Sequence, residues 1–139
     1  MTNSRPSLPA PQAQAFVVCR EIWENPRTRD VMLLGPTSHL PIPAFPASVR
    51  LSVYAHVTGG HGSYAMEFVL RGPDGDPVWH WTPEGQLVHP DPLTPQQLLF
   101  HDLVVHVPRA GRYEFALLAD GQEIGRQPLL IGLSEALAN

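Results

Sequence analysis

Arg112-Tyr113-Glu114-Phe115-Ala116-Leu117-Leu118-Ala119-Asp120-Gly121, followed by the run from Glu123 to Ile131, is the stretch whose reading decides the fold. Side chains on a β-strand alternate between its two faces, so Tyr113, Phe115 and Leu117 share one apolar face. An Asp-Gly pair between two strand-like runs is the strongest local hairpin signal, because both central residues of a type I′ turn need positive φ. Glu123–Ile131 is therefore expected to pair back on Arg112–Ala119.

Working outward, the same period of two recurs. Val49, Leu51, Val53, Ala55 and Val57 alternate with Arg50, Ser52, Tyr54 and His56; after Gly59-Gly60-His61-Gly62, the alternation resumes at Tyr64, Met66, Phe68 and Leu70. Ala15–Trp23 is rich in β-branched and aromatic residues and ends at Asn25-Pro26. Val31–Leu34, Val78–Trp81 and Leu98–Val107 read as further strands. Prolines 41, 43 and 46 mark Thr37–Ala47 as an extended loop or ragged edge, and Thr82–Pro95 reads as loop. No helical period is sustained for ten residues. The expected fold is all-β: an antiparallel two-sheet sandwich of seven or eight strands over residues 15–133, with a disordered N-terminal arm at 1–14 and a C-terminal tail at 134–139.

Tyr113 stands two residues before the core position Phe115, just after Pro108-Arg109-Ala110-Gly111, and this pattern is similar to the tyrosine corner of immunoglobulin-like domains. Ala15-Phe-Val-Val-Cys-Arg20, Gly111-Arg-Tyr-Glu-Phe115, Asp120-Gly121 and Gly125-Arg-Gln-Pro-Leu129 together resemble a family of small bacterial proteins known as a domain of unknown function. The resemblance spans nearly all of the chain after Gln14 and implies a single sandwich domain. It lends no activity.

Composition excludes several classes of chemistry. With 139 residues there is room for one domain, and 43% hydrophobic with 16% charged residues is a globular balance. No apolar run is long enough to span a bilayer, so no membrane association is expected. Met1–Gln14 has no apolar signal segment and Cys19 is the only cysteine, so a cytoplasmic, disulfide-free protein is expected. All nine basic residues are arginines, scattered singly in a chain of net charge −4. Nucleic-acid binding needs clustered positive charge and is not expected. Without a lysine there is no Schiff-base chemistry and no phosphate-loop NTPase, and no cofactor is expected.

Seven histidines carry no H-x-H or H-E-x-x-H spacing, so no metal is expected; His101 and His106 differ in strand parity and point apart unless a bulge intervenes. Asp74-Gly75-Asp76 is ordinary turn chemistry, too poor in carboxylates for calcium. Cys19, mid-strand beside Val17 and Val18, reads as a small buried hydrophobe rather than a nucleophile. No catalytic residue is named, and a metal-dependent enzyme is the weakest reading. Two binding surfaces remain. Trp79 and Trp81 are two apart, so both indoles leave one face of a strand, either as a core layer or as a stacking platform for a small ligand or carbohydrate. In an eight-strand chain, loop parity gathers Arg27, His61, Glu84, His89 and Asp91 at one end, where an unknown protein partner would bind. A non-enzymatic protein-interaction domain is thus the leading expectation, using that end or an exposed edge strand, and a homo-oligomer is compatible with it.

Overall fold

The computed structural model describes residues 10–134, and within them the ten elements are all β-strands. In chain order they are β1 (Gln12–Glu24), β2 (Val31–Pro36), β3 (His39–Ile42), β4 (Ala47–Thr58), β5 (Gly62–Arg71), β6 (Pro77–Trp81), β7 (Gln86–His89), β8 (Gln96–Val107), β9 (Gly111–Ala119) and β10 (Gln122–Leu133). One sheet has the order β2-β1-β4-β8, the other β3-β10-β9-β5-β6, with β7 pairing onto β5. The predicted hairpin is present: Gln122 pairs with Ala119 and Ile131 with Gly111, and the turn residues Asp120 and Gly121 have φ of 49° and 79°.

The core lies between the sheets. Leu51, Val53, Met66, Phe68, Leu103, Val105, Tyr113, Phe115 and Leu117 are all buried, as their alternation requires. Phe16 packs against this cluster from β1. The Tyr113 hydroxyl donates to the Arg109 carbonyl at 2.5 Å, so a tyrosine corner fixes the entry to β9. A two-sheet sandwich closed by that corner is immunoglobulin-like.

Three sequence expectations need correction. β1 begins at Gln12, where Gln12 faces Thr58, and Pro11 is buried, so the arm that was to end at residue 14 ends earlier. The rest of that arm, residues 1–9, lies outside the described residues, as do residues 135–139 of the tail. Second, of the two readings for Thr37–Ala47 the edge holds and the loop does not, since it contains β3, and Thr82–Pro95, read as loop, contains β7. β3 runs parallel to β10, the one parallel pair among the described strands, and it tolerates Pro41 because it pairs on one side alone. β7 pairs four residues with β5. Third, β3 reverses the parity of every strand after it. β1 leaves the Thr58 end and runs away from it, so Asn25–Arg29 lies at the opposite end of the sandwich from Thr58–Gly62.

The two long sides of the sandwich differ. On one side Gln127 of β10 stitches the sheets together: its Oε1 accepts the Val18 amide at 2.9 Å, and its Nε2 donates to the Thr37 carbonyl. On the other side the edge strands β6 and β8 face each other without a ladder. Phe115, fully buried, contacts Phe16, Phe68 and Trp79 across the interior at ring separations of 6.4, 5.8 and 5.8 Å. Replacing Phe115 by Ala should lower unfolding stability by about 3–5 kcal/mol, read from chemical denaturation; a loss under about 1 kcal/mol would mean that this ring is not the centre of the core.

Candidate functional site

The open side is lined by aromatic residues. Trp79 lies opposite Leu70 and Trp81 opposite Phe68, so both indoles leave the core face of β6, the shared face that their spacing required. Trp81 stacks on Phe68 at 6.0 Å with 23° between the planes, and meets Phe100 of β8 edge-on at 6.4 Å. Trp79 leans on Phe115. Trp81 is nevertheless 38% exposed, because no further strand among the described residues covers β6. The indoles are the outer margin of the core and the floor of a groove at once. That groove, about 520 Å³, runs between Trp79 and Trp81 on one side and Leu99 to Val104 on the other.

A bulge in β8 shapes its far wall. Leu51 faces Leu103 and Val53 faces Phe100, so His101 and Asp102 together oppose Ser52. Asp102 takes a φ of 54°, and its amide donates to the Ser52 hydroxyl at 3.1 Å. The inward residues change phase there, from Leu98 and Phe100 to Leu103, Val105 and Val107. This is the bulge on which the relation between His101 and His106 depended; both are exposed. Among the described residues no group of three or more His, Cys, Asp or Glu converges on a metal position.

The five residues expected at one loop end are only partly assembled. His61, His89 and Asp91 come together. Arg27 does not: it sits at the tip of the β1–β2 hairpin, its amide held by the Asn25 side chain, at the other end of the sandwich. Glu84 is exposed in the β6–β7 connection, beside the middle of β5 rather than at its end. Two of the three that meet, His89 and Asp91, are occupied with holding loops. His89 is fully buried; its Nδ1 accepts the Gly60 amide at 3.1 Å, which makes Nε2 the donor to the Thr94 carbonyl at 2.7 Å. A side chain on Gly60 would collide with that ring, since its Cβ would lie 2.6 Å from Nδ1. Asp91 accepts the Leu93 amide at 2.9 Å and the Thr94 hydroxyl at 3.0 Å. Those bonds, the Leu93 amide first, hold its carboxyl below the usual carboxylate range.

Cys19 is fully buried, its thiol turned to the Ser52 carbonyl at 3.5 Å, and burial pushes its pKa up. Sequence reasoning missed the β8 half of the groove. The signal was the phase change between Phe100 and Leu103, visible only when the inward positions are tracked through the whole strand.

The chain matches a family model described as "Family of unknown function (DUF6941)" over residues 14–132, and it belongs to that family. No curated protein matches it. Among solved structures it is similar to an immunoglobulin-like protein from Pseudomonas aeruginosa, with 10% identity, 90% of this chain and 98% of that chain covered, and a TM-score of 0.41. No helix among the described residues is long and apolar enough to cross a membrane.

The hydrogen bonds of Asp91 give a pH expectation with a definite sign. A carboxyl whose folded pKa is depressed stabilises its loop above the ordinary carboxylate pKa and loses that support as pH falls through the folded value. Amide exchange at Leu93 should therefore stay slow, relative to its intrinsic rate, down to about pH 4 and become less protected only in stronger acid. Loss of protection near neutral pH would contradict the bonding described. His89→Ala leaves the buried Gly60 amide without its partner and should cost about 2 kcal/mol in a denaturation experiment.

Proposed function

We propose that this chain is a non-enzymatic protein-interaction domain, and that it binds an extended segment of a partner protein along the open side between β6 and β8. One observation carries the reading: an aromatic groove whose floor is Trp79 and Trp81 lies against a twelve-residue strand, β8, that is paired on one side alone. An unpaired edge offers backbone donors and acceptors, and an adjoining apolar groove offers a seat for one side chain; together these are the two parts of recognition by strand addition. The bulge at His101 and Asp102 interrupts the edge, so an added strand pairs along one half of β8 while its anchor enters the groove where the edge opens.

The chemistry elsewhere supports binding over catalysis. The thiol of Cys19 is buried, and His89 with Asp91 is consumed in loop hydrogen bonds. A carbohydrate is the weaker occupant, since Trp81 already gives one face to Phe68 and Trp79 leans into Phe115. A sugar platform needs indole faces that stand free. An apolar or aromatic side chain needs only the gap.

The test uses a random dodecapeptide library displayed on phage and selected against the full chain. Enriched peptides should carry an aromatic or large aliphatic anchor. Trp81→Ala, and Val104→Arg on the opposite wall, should each weaken a selected peptide at least about tenfold. Val88→Arg, at an exposed position on β7, should leave it unchanged. If no peptide is enriched, or if Val88→Arg abolishes binding while Trp81→Ala and Val104→Arg do not, the proposal is wrong.

A further inference from the structure

Soluble sandwiches protect their edges with prolines, charges, bulges or covering loops, because an unguarded edge pairs with whatever strand it meets. The edges here differ in that protection. β8 carries the bulge with Asp102, β3 contains Pro41, and β6 is five residues long and begins at Pro77. β7 is four residues long, and the Gln96 side chain occupies the Val88 carbonyl at 2.8 Å. β2 has none of these devices between Val31 and Leu34; its far end carries Gly35, at a φ of 65° with the Arg20 side chain against it, and Pro36. Its sequence, Val31-Met32-Leu33-Leu34-Gly35-Pro36, is uncharged and apolar, and it pairs on one side alone, with β1.

A second observation points to the same place. After Cys19, β1 leaves β4, and the β1–β2 hairpin continues beyond the sheet. On its outward face Trp23 lies directly opposite Met32, and Leu34 lies beside them opposite Glu21. Trp23, Met32 and Leu34 are 61%, 54% and 40% exposed. The tip is already ordered: the Asn25 side chain accepts two amides, and the Thr28 hydroxyl bonds Asp30 at 2.9 Å.

We propose that β2 pairs antiparallel with β2 of a second copy of this chain, joining two four-stranded sheets into one of eight. The charge pattern selects that occupant. A two-fold axis through Leu33 places each Met32 against the partner's Leu34 on the same face, extending the exposed row of Trp23 and Met32 across the junction. Asp30 then faces Pro36 and Arg29 faces Thr37, so no like charges oppose. An uncharged apolar strand offers a charged partner segment no counter-ion, whereas a second β2 is complementary to it in both pattern and length. The pairing involves one short strand from each copy, so the interface falls below the roughly 1,200 Å² of standard complexes and the dimer is concentration-dependent.

Sedimentation velocity of the full chain tests this. The wild type should move from monomer to dimer as concentration rises to about 100 µM, a range that reads micromolar affinity. Met32→Lys places like charges beside the axis at an exposed position, so it should keep the fold by circular dichroism and weaken association at least about tenfold. Val88→Lys should dimerise as the wild type does, and Met32→Lys should still bind a peptide selected for the β6–β8 groove, so this inference and the groove proposal fail separately. A wild type that remains monomeric throughout, or a dimer that Met32→Lys leaves intact, overturns the inference.

Discussion

The fold depends on one packing constraint, the meeting of Phe115 with Phe68, Phe16 and Trp79 between the two sheets. Phe115 and Phe68 come from neighbouring strands of one sheet, while Phe16 and Phe100 reach them from the other. Aromatic rings bury large areas and prefer tilted or edge-on contacts to face-to-face stacking, which is how Phe68 meets Phe100, 4.7 Å apart with 76° between planes. This row sets the spacing of the sheets and extends to Trp81 at the open margin. The site proposed for binding is therefore continuous with the core, and a ligand seated there would touch the same rings that hold the sandwich together.

The two sides of the sandwich solve the same problem differently. Where β1, β2 and β10 meet, the backbone groups of Val18 and Thr37 are satisfied by the Gln127 amide, which acts as a one-residue bridge between the sheets. A buried polar group left unpaired is costly, so that side is closed. Between β6 and β8 no such bridge exists among the described residues, and that side stays open. The loop ends are ordered as well: His89 ties the Gly60 turn to Thr94, and Tyr113 ties β9 to Arg109. Rigid ends and an open side fit a scaffold that presents a strand edge better than one that recognises through mobile loops.

Much of this was legible in the residues. Asp120-Gly121 specified its turn through the φ that both positions need, and Tyr113 announced its corner because a buried hydroxyl at that offset must find a backbone partner. The spacing of Trp79 and Trp81 correctly put both rings on one face, and burial then made that face the margin of the core. What escaped reading was pairing over distance. Pro41 signals an edge strand as readily as a loop, and nothing local says that His39–Ile42 pairs parallel with β10, about ninety residues later. That one missed strand moved Arg27 to the opposite end, and β7, missed as well, put Glu84 beside the middle of β5. The groove's second wall depends on a bulge, which reveals itself as a phase change in β8 rather than as a motif.

The most direct measurement is a backbone and side-chain NMR map of the full chain titrated with a peptide selected from the random library. The account predicts that shifts concentrate on Trp79, Trp81 and the strand from Leu99 to Val104, with Overhauser contacts from the peptide's anchor to the Trp81 indole. Shifts confined to Gly59–Gly62 and His89–Thr94, with the Trp81 indole unmoved, would contradict it and return the binding surface to the loop end.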